Sequence, residues 1–384
     1  MLKVGILGVG NAGNQVVSYA KKNEAPIDVY AINCSEEDLS TIPSSIPRTL
    51  VGDGRGAGKN RKESKQFLAN DVRKVIDDEG VQNFIKNLDC LFICSSTGGG
   101  TGSGISLLLS QIISTVFPTV YVIPVGIISA MKEALSTHVN SLEYLTELYD
   151  TLENPTYMLY DNDKFANIPA NQMMTEINKR IVQDITVLSG IFNYTTPYAS
   201  IDDRDMLNLI RTPGRLIVAS VNDFKEKDLD EKSLEALLME DIHNGGHVDI
   251  QNDRIVNRIG VIEVVSEAIN EKFDTSVPEL QKQIGSPVEN YEHIYINEDR
   301  KASNYVHVII AGGTKINDRV QKINDRVQEI LDRQKQVEDD NALGEFNLDE
   351  INAKRYYHKQ GEIKQKVNLE NIFESFGVTP GKKN

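Results

Sequence analysis

The most constraining feature of this chain is the glycine-rich run at residues 98–104, Gly-Gly-Gly-Thr-Gly-Ser-Gly. Apolar residues precede it at 91–94 and follow it at 105–109, so the pattern predicts a strand that passes through a glycine loop into a helix. Glycine allows a positive φ and a close approach to a ligand, and the helix directs its unpaired N–H groups to the same point. The run therefore has the features of a phosphate-binding loop. Its apolar flanks argue against a flexible linker.

Two other glycine-rich loops occur at residues 8–14 and 52–60. The first contains Gly-x-Gly-x-x-Gly, but a dinucleotide-binding fold needs an acidic residue at the end of its second strand, and here that strand ends in Asn33 and its polar neighbours. The second loop is similar to a Walker loop, yet Asp53 stands at the leading glycine position and Asn60 at the Ser/Thr position. Neither common nucleotide-binding signature is complete.

The first 165 residues alternate predicted strands and helices. The strands are predicted at 2–7, 27–32, 88–94, 119–125 and 156–160, and the helices at 12–22, 62–79, 104–116 and 130–151. This alternation predicts an α/β fold with a parallel sheet, in which ligands bind beyond the carboxyl ends of the strands. A long helix is predicted next, at 170–190, with Gly190 as its stop signal.

The second half predicts a smaller α+β domain. Its strands are predicted at 215–221, 293–296 and 305–310, and its helices around 231–240 and 260–272. Residues 315–328 then contain Lys-Ile-Asn-Asp-Arg-Val-Gln twice, which predicts an amphipathic helix as far as Glu338. Its apolar stripe has two interpretations, packing on its own domain or contact with a neighbouring subunit.

Composition excludes some partners and leaves the function open. A chain of 384 residues with 40% hydrophobic content can bury a large core, and its net charge of −15 opposes direct binding to nucleic acid. No run of 18 apolar residues and no charged leader is present, so we expect no membrane partner and a cytoplasmic protein. The three cysteines have no zinc-site spacing and are expected to be reduced and buried.

The end of the chain is polar after Val337, except for a short amphipathic segment at 368–376. Such a segment can bind a partner, bind its own domain or the next subunit, or have no role. Because it is short and its surroundings are polar, we expect it to lie outside the core.

The motifs together resemble the tubulin/FtsZ GTPase family, and most of all its phage and plasmid members. Residues 98–104 match the tubulin signature, and 13–15 look like the corresponding first loop. Residues 55–62 resemble the third nucleotide loop of phage tubulins, and 178–181 are similar to the central helix of plasmid tubulins. The resemblance follows the family's motif order over roughly residues 1–315.

The resemblance implies a domain order and a nucleotide site. The domains would be a GTP-binding domain at 1–169, a central helix at 170–190, an activation domain at 191–314, a C-terminal helix at 315–338 and a tail at 339–384. It also implies that GTP or GDP, with Mg²⁺, is held by Gly10, Asn11, Ala12, Asn14, Gly56, Ala57, Gly58, Asn60, Gly98, Gly99, Gly100, Thr101, Gly102, Ser103, Asp161 and Asn178.

Some of these residues have more specific expectations. Asn14 and Asn178 would contact guanine or ribose, since an amide can donate to and accept from a base edge. Thr101 would contact the γ-phosphate or the water shell of Mg²⁺. Asp161 would reach the ribose, or only shape a turn.

The candidate catalytic residues are Asp202 and Asp205, in the segment 200–206. In the family this loop reaches across a head-to-tail contact into the nucleotide pocket of the next subunit. Its carboxylates can orient the water that attacks the γ-phosphate and accept its proton. The alternative is a solvated turn whose Asp residues cap the next helix.

The resemblance implies a GTP-hydrolysing protein that assembles with itself into filaments, in a bacterial host cytoplasm. Its task would be to position or segregate phage or plasmid DNA, through a DNA-binding adaptor bound to the tail. One alternative is an FtsZ-like division-ring protein. An alternative from a different class is an NAD-binding oxidoreductase, based on residues 8–13.

Overall fold

The fold is described from a computed structural model. It covers residues 2–190, 202–231, 233–250, 255–272, 278–297, 303–313, 316–341 and 375–378.

The strands and helices alternate through the first half and are mixed in the second. The strands are β1 (Val4–Val9), β2 (Asp28–Asn33), β3 (Arg48–Leu50), β4 (Cys90–Ser96), β5 (Tyr121–Ile128), β6 (Thr156–Asp161), β7 (Gly214–Phe224), β8 (Ile255–Ser266), β9 (Ser286–Asn297) and β10 (Asn304–Ala311). The helices of the first half are α1 (Gly10–Lys22), α2 (Glu36–Ser40), α3 (Arg61–Ile76), α4 (Glu79–Lys86), α5 (Thr101–Val116), α6 (Leu135–Asp150) and α7 (Ala170–Leu188). Those that follow are α8 (Asp203–Ile210), α9 (Glu226–Glu231), α10 (Leu234–Asn244), α11 (Glu267–Lys272), α12 (Pro278–Ile284) and α13 (Asn317–Asn341).

All ten strands join one sheet in the order β3-β2-β1-β4-β5-β6-β7-β10-β8-β9. The first seven strands of this order, β3 through β7, are parallel to one another. Strand β10 is antiparallel to its neighbours β7 and β8, and β8 is parallel to β9. The predicted α/β class with a parallel sheet is therefore confirmed. Because β1 and β4 are parallel neighbours, the loops that follow them lie at the same edge.

Helices cover both faces of the parallel half. Successive residues of a strand point to opposite faces, and accordingly Ile6 and Leu7 of β1 belong to two different core clusters. The cluster of Ile6 includes apolar residues of α1 and α7, and that of Leu7 includes residues of α3, α4, α5 and α6. A third cluster packs α10 and α12 against β7, β8 and β10.

Two of the predicted helices are wrong in extent. The helix expected at 260–272 is strand β8 as far as Ser266, and only Glu267–Lys272 is helical. In this part of β8, Val261, Ile262 and Val264 are β-branched, and each pairs with both β10 and β9, so the two ladders satisfy their backbone groups. The helix expected at 62–79 ends at Ile76. A separate helix that was not predicted, α4, begins at Glu79, where Asp78 caps it by accepting a hydrogen bond from the Val81 N–H.

Residues 317–328 of the repeated heptads lie on α13, which packs on α6 in the first half of the chain. Ile316, Ile323 and Val327 are buried there, so the apolar stripe is used within the subunit. The two repeated arginines have different surroundings. Arg319 is buried and makes ion pairs with Asp161 (2.7 Å) and Asp163 (3.0 Å), whereas Arg326 pairs with Glu329 at the surface.

Because Arg319 and Arg326 occupy the same position in the two heptads, the substitution of one serves as the control for the substitution of the other. Arg319→Met should lower the free energy of unfolding by about 3–5 kcal/mol, because it leaves the buried Asp161 carboxylate without its cation. Arg326→Met should cost about 0–1 kcal/mol, since exposed ion pairs contribute little. Methionine keeps the apolar stem at both positions. Urea unfolding measures the two values, and equal losses would contradict this account.

The described part of the tail, residues 375–378, packs on the first half of the chain. Phe376 and Val378 are buried in the same core cluster as α3 and α5. The Lys65 ammonium lies 5.3 Å from the centre of the Phe376 ring and donates to the Phe376 carbonyl at 3.4 Å. The expectation that this end of the chain lies outside the core is therefore wrong for Phe376.

A pair of truncations measures this contact. A chain that ends at Val378 keeps both apolar side chains, and a chain that ends at Glu374 loses them. We expect the shorter chain to be less stable by about 1–3 kcal/mol, which is the scale for burying one or two apolar side chains. Thermal or urea unfolding of the two proteins gives the difference. Identical curves would mean that the packing of residues 375–378 contributes nothing.

Candidate functional site

The three glycine loops surround a cleft of about 380 Å³ beyond the carboxyl ends of β1 and β4. Its walls are formed by loop residues, by the ends of the strands and by one residue of α7. The lining residues are Val9, Gly10, Asn11, Ala12, Ser35, Asp38, Gly56, Ala57, Gly58, Lys59, Ser96, Gly99, Gly100, Thr101, Gly102 and Met174.

The loops touch one another through their backbones. Gly10 has φ +70°, and a Cβ atom placed on it would lie 2.8 Å from the backbone nitrogen of Gly102. A Cβ atom on Gly100 would lie 2.8 Å from both the Cα and the nitrogen of Lys59. These contacts leave no room for a side chain, so glycine is required at both positions.

Two helices begin at the cleft without a side-chain cap. Neither α1 nor α5 has a capping hydrogen bond or an acidic residue in its first turn. Their first N–H groups, with the positive ends of both helix dipoles, therefore remain available for a ligand. By contrast, α3 is capped by Asn60 and α8 by Asp202. Two open helix N-termini at one cleft form a site for an anion with several oxygen atoms.

Asn140 of α6 joins two of the loops. Its amide nitrogen donates to the Lys59 carbonyl at 2.9 Å and to the Gly98 and Gly99 carbonyls, each at 3.2 Å. Asn140 was not among the predicted site residues. The sequence shows it only as a polar residue on the inner face of an amphipathic helix, a feature that many helices share.

A buried ion-pair network anchors the start of α3 behind the signature loop. The Arg61 guanidinium donates to the Ser103 carbonyl at 2.9 Å and pairs with Glu143 and Glu147 of α6. Glu147 also pairs with Lys65, whose pKa is lowered mainly by burial while Glu147 opposes the shift. The network connects α3, α5 and α6 around the loop.

The structure brings most of the predicted nucleotide residues to the cleft. Those that line it are Gly10, Asn11, Ala12, Gly56, Ala57, Gly58, Gly99, Gly100, Thr101 and Gly102. Gly98, Ser103 and Asn60 are not on its wall but support it. Asn140 binds the Gly98 carbonyl, Ser103 donates its hydroxyl to the Gly99 carbonyl, and the Asn60 side chain caps α3.

Neither Asn14 nor Asn178 lines the cleft. Asn14 is fully buried, and in the orientation that satisfies its neighbours its nitrogen donates to the Gly8 and Gly10 carbonyls at 3.1 and 3.2 Å. Its oxygen accepts from Asn33 at 3.0 Å. Asn178 is buried one helical turn after Met174, which does line the cleft.

Asp161 is not on the cleft wall. Its carboxylate is buried, pairs with Arg319 and accepts from the Asp163 N–H at 3.0 Å. Burial raises the pKa of Asp161, and Arg319 opposes that rise. Of the two expectations for Asp161, ribose contact and shaping of a turn, its geometry matches the turn.

Asp202 and Asp205 lie at the start of α8, and the residues from 191 to 201 before them are outside the described ranges. The Asp202 carboxylate caps α8 by accepting from the N–H groups of Arg204 (2.7 Å) and Asp205 (2.9 Å). Asp202 is exposed and Asp205 is half-buried.

These two carboxylates and the cleft lie at opposite edges of the sheet. Helix α7 begins at Ala170, passes the cleft at Met174 and ends at Leu188, at the edge where β1 begins. There the Leu2 N–H donates to the Ser189 carbonyl at 3.1 Å. The 14 residues after Met174 extend over roughly 21 Å. Arg211, just after α8, lies over the ring of Tyr121 at the start of β5. Within one subunit, the Asp202 and Asp205 carboxylates therefore lie far from the cleft.

Several lining residues were not predicted. Ser35 and Asp38 follow β2, and Met174 lies on α7. Lys59 lies within the glycine loop at 52–60, and the resemblance of that loop to phage tubulins assigned no role to Lys59.

Among the described residues, no helix has both the length and the apolar character that crossing a membrane requires. Within the same ranges, His, Cys, Asp and Glu side chains form no group of three that could hold a metal ion.

Comparison with known proteins identifies the domain that contains the cleft. Residues 3–170 match the family described as "Tubulin/FtsZ family, GTPase domain". A curated relative, "Tubulin-like protein CetZ" of Pyrococcus furiosus, is 24% identical over 293 residues, or 73% of this chain and 77% of that protein.

Solved structures show the same fold over most of the chain. TubZ of Bacillus thuringiensis serovar israelensis, a GTPγS-form protofilament, has a TM-score of 0.72 at 17% identity and covers 88% of this chain and 94% of its own. Clostridium botulinum phage c-st TubZ has a TM-score of 0.69 at 16% identity, with 86% and 98% covered. The family match favours a GTPase over an NAD-binding oxidoreductase.

The residues present fit the ligands of this family, GTP or GDP with Mg²⁺. The uncapped helices and the glycine contacts provide backbone donors for phosphate oxygens. Asp38, Ser35 and Thr101 add oxygen atoms at the cleft. Mg²⁺ usually takes one or two carboxylates and completes its shell with phosphates and water, so these few groups are sufficient. When bound, the ion would offset the negative charge of the phosphates.

The loop contacts distinguish two adjacent glycines. Gly100→Ala places a methyl group against the Lys59 backbone, so we expect a lower melting temperature and weaker GTP binding. The cause is this contact rather than a strained backbone, since Gly100 has φ −82°. Gly99→Ala has nothing within 4 Å of the added carbon and should keep the melting temperature of the unliganded protein. Thermal unfolding and GTP titration check both, and an unaffected Gly100→Ala protein would contradict the loop packing.

Proposed function

We propose that this chain, which carries the GTPase domain of the tubulin/FtsZ family, assembles head to tail into filaments and hydrolyses GTP at the contacts between subunits. The observation that carries the proposal is the separation of the cleft from the Asp202 and Asp205 carboxylates by the length of α7. A second copy stacked along this axis would present its own α8 to the cleft. The similarity to the TubZ protofilament reported above supports the same arrangement.

The chemistry of α8 suits such a contact. Asp202 is exposed, so its carboxylate is accessible to a neighbouring subunit. Hydrolysis needs a water molecule held in line with the γ-phosphate and a group that accepts its proton. In this proposal Asp202 and Asp205 orient that water, while Gly98–Ser103 and the N-termini of α1 and α5 hold the phosphates. The nucleotide roles of Asn14 and Asn178 stay part of the proposal, whereas Asp161 takes the turn-shaping alternative.

The best test replaces Asp202 without disturbing α8. Asp202→Asn keeps a capping oxygen, because Asn and Asp are equally good N-caps, but removes the charge and the base. We expect this variant to bind GTP and form filaments while hydrolysing GTP about 10²- to 10⁴-fold more slowly. Light scattering and phosphate release, measured per polymerised subunit, give the comparison. Asp203→Asn, one residue further on, is the matched control and should hydrolyse GTP normally.

Mixed filaments distinguish a shared site from a site within one subunit. A Gly100→Val subunit that cannot bind GTP still carries Asp202, and it should restore hydrolysis to an Asp202→Asn neighbour when the two assemble together. Normal hydrolysis by Asp202→Asn filaments would overturn the assignment of Asp202. Activity that does not rise with protein concentration would overturn the shared site.

The cellular task that we propose is positioning or segregation of phage or plasmid DNA. The resemblance of residues 55–62 and 178–181 to phage and plasmid tubulins supports it, as does the structural similarity to phage c-st TubZ. The net charge of −15 opposes direct contact with DNA, so the link would be a DNA-binding adaptor. The alternative is an FtsZ-like division ring. Fluorescence microscopy of the labelled protein distinguishes the two roles. Filaments at a labelled replicon would support DNA segregation, and filaments at the septum would support a division ring.

The division of the chain follows from this proposal. We keep a GTP-binding domain at 1–169, a central helix at 170–190, an activation domain at 191–314, a C-terminal helix at 315–338 and a tail at 339–384.

A further inference from the structure

We infer that Lys59 recognises the terminal phosphate of GTP and so makes the cleft prefer a nucleoside triphosphate to a diphosphate. This inference rests on the proposed function, because it assigns a role to one residue of the same cleft. Lys59 is the only lysine or arginine among the described residues that line the cleft. Among the described residues that line the cleft, Asp38 is the one with an acidic side chain.

The backbone of Lys59 is held in place from two sides. It has φ +63°, a left-handed conformation that a residue other than glycine rarely adopts. Gly100 of the signature loop packs directly on its Cα and nitrogen. Its carbonyl accepts the 2.9 Å hydrogen bond from Asn140, whose amide also binds the Gly98 and Gly99 carbonyls. The structure therefore fixes the Lys59 backbone to the loop that binds phosphate.

The ammonium group lies beside the start of the signature loop. Lys59 Nζ donates to the Thr137 hydroxyl at 2.9 Å, and Thr137 lies against Gly98, where an added Cβ would be 2.9 Å from the Thr137 carbonyl oxygen. An ammonium has three donors, so it can keep the bond to Thr137 and still donate to a phosphate oxygen. Lys59 is exposed, so its flexible four-carbon stem can reach toward the cleft.

Charge decides which nucleotide benefits from this cation. GTP carries an additional phosphoryl group and more negative charge than GDP, and the donors at the N-termini of α1 and α5 carry only partial charges. A hydrogen bond between an ammonium and a phosphate is stronger than one between neutral groups. We therefore expect Lys59 to strengthen GTP binding about 10- to 100-fold while affecting GDP little.

The test compares the affinities of GTPγS and GDP, each with Mg²⁺, by calorimetric titration below the concentration of assembly. Lys59→Gln should bind GTPγS about 10- to 100-fold more weakly and GDP less than about threefold more weakly. Lys59→Asn removes the same charge and suits the positive φ, so it tests the charge if Lys59→Gln folds poorly. Lys59→Arg should restore part of the preference, because it restores the cation.

Arg55 provides the matched control. It lies in the same loop, its side chain is 89% exposed, and it does not line the cleft. Arg55→Gln should bind both nucleotides as the unmodified protein does. Equal losses for GTPγS and GDP in the Lys59 variants, or no loss, would overturn the inference and leave the proposed function intact. An unmodified protein that binds neither nucleotide would overturn the proposed function instead.

Discussion

The close contact between glycine loops is the constraint on which the rest of the site depends. Gly10 meets the backbone of Gly102, and Gly100 meets that of Lys59, at distances that exclude a Cβ atom. These contacts bring the uncapped starts of α1 and α5 to one cleft and place a lysine at its edge. Asn140 of α6 links two of the loops by donating hydrogen bonds to the Lys59, Gly98 and Gly99 carbonyl groups. A site built from backbone groups in this way is rigid, and it keeps its N–H donors free for the ligand.

Helix α7 determines the distance between the cleft and the α8 carboxylates, and a buried polar network fixes its position. Arg180 pairs with Asp184 on the same helix and with Asp241 of α10, and its guanidinium also donates to the Val218 carbonyl of β7. Burial opposes the ionisation of Asp184, yet Arg180 and the hydrogen bonds from His247 and Tyr160 hold its pKa below the usual value. Breaking such a buried pair is costly, so α7 is held firmly against the second half. This rigidity suits a subunit whose two ends must work on its neighbours.

Identical sequence segments can have different roles when their surroundings differ. The two heptads at 315–328 are the same, yet Arg319 is buried against Asp161 whereas Arg326 pairs with Glu329 on its own helix. The tail gives a related example, because Phe376 lies in a short amphipathic segment of a polar tail but is buried beside Lys65. In both cases the neighbours come from distant parts of the chain. The same applies to β8, where the ladders to β9 and β10 replaced the helix expected from local pattern.

The parallel half of the α/β sheet, its glycine loops and the edge where they meet could be predicted from the sequence, because alternating apolar runs and glycines are local properties. Ten of the predicted residues line the cleft. The packed fold was needed to show that Asn14 lies behind the wall, that Asp161 pairs with Arg319 and that Lys59 lines the cleft. It also decided that Asp202 caps a helix far from the cleft of its own chain. These outcomes depend on which side chains meet after distant segments pack, and no local spacing records such meetings.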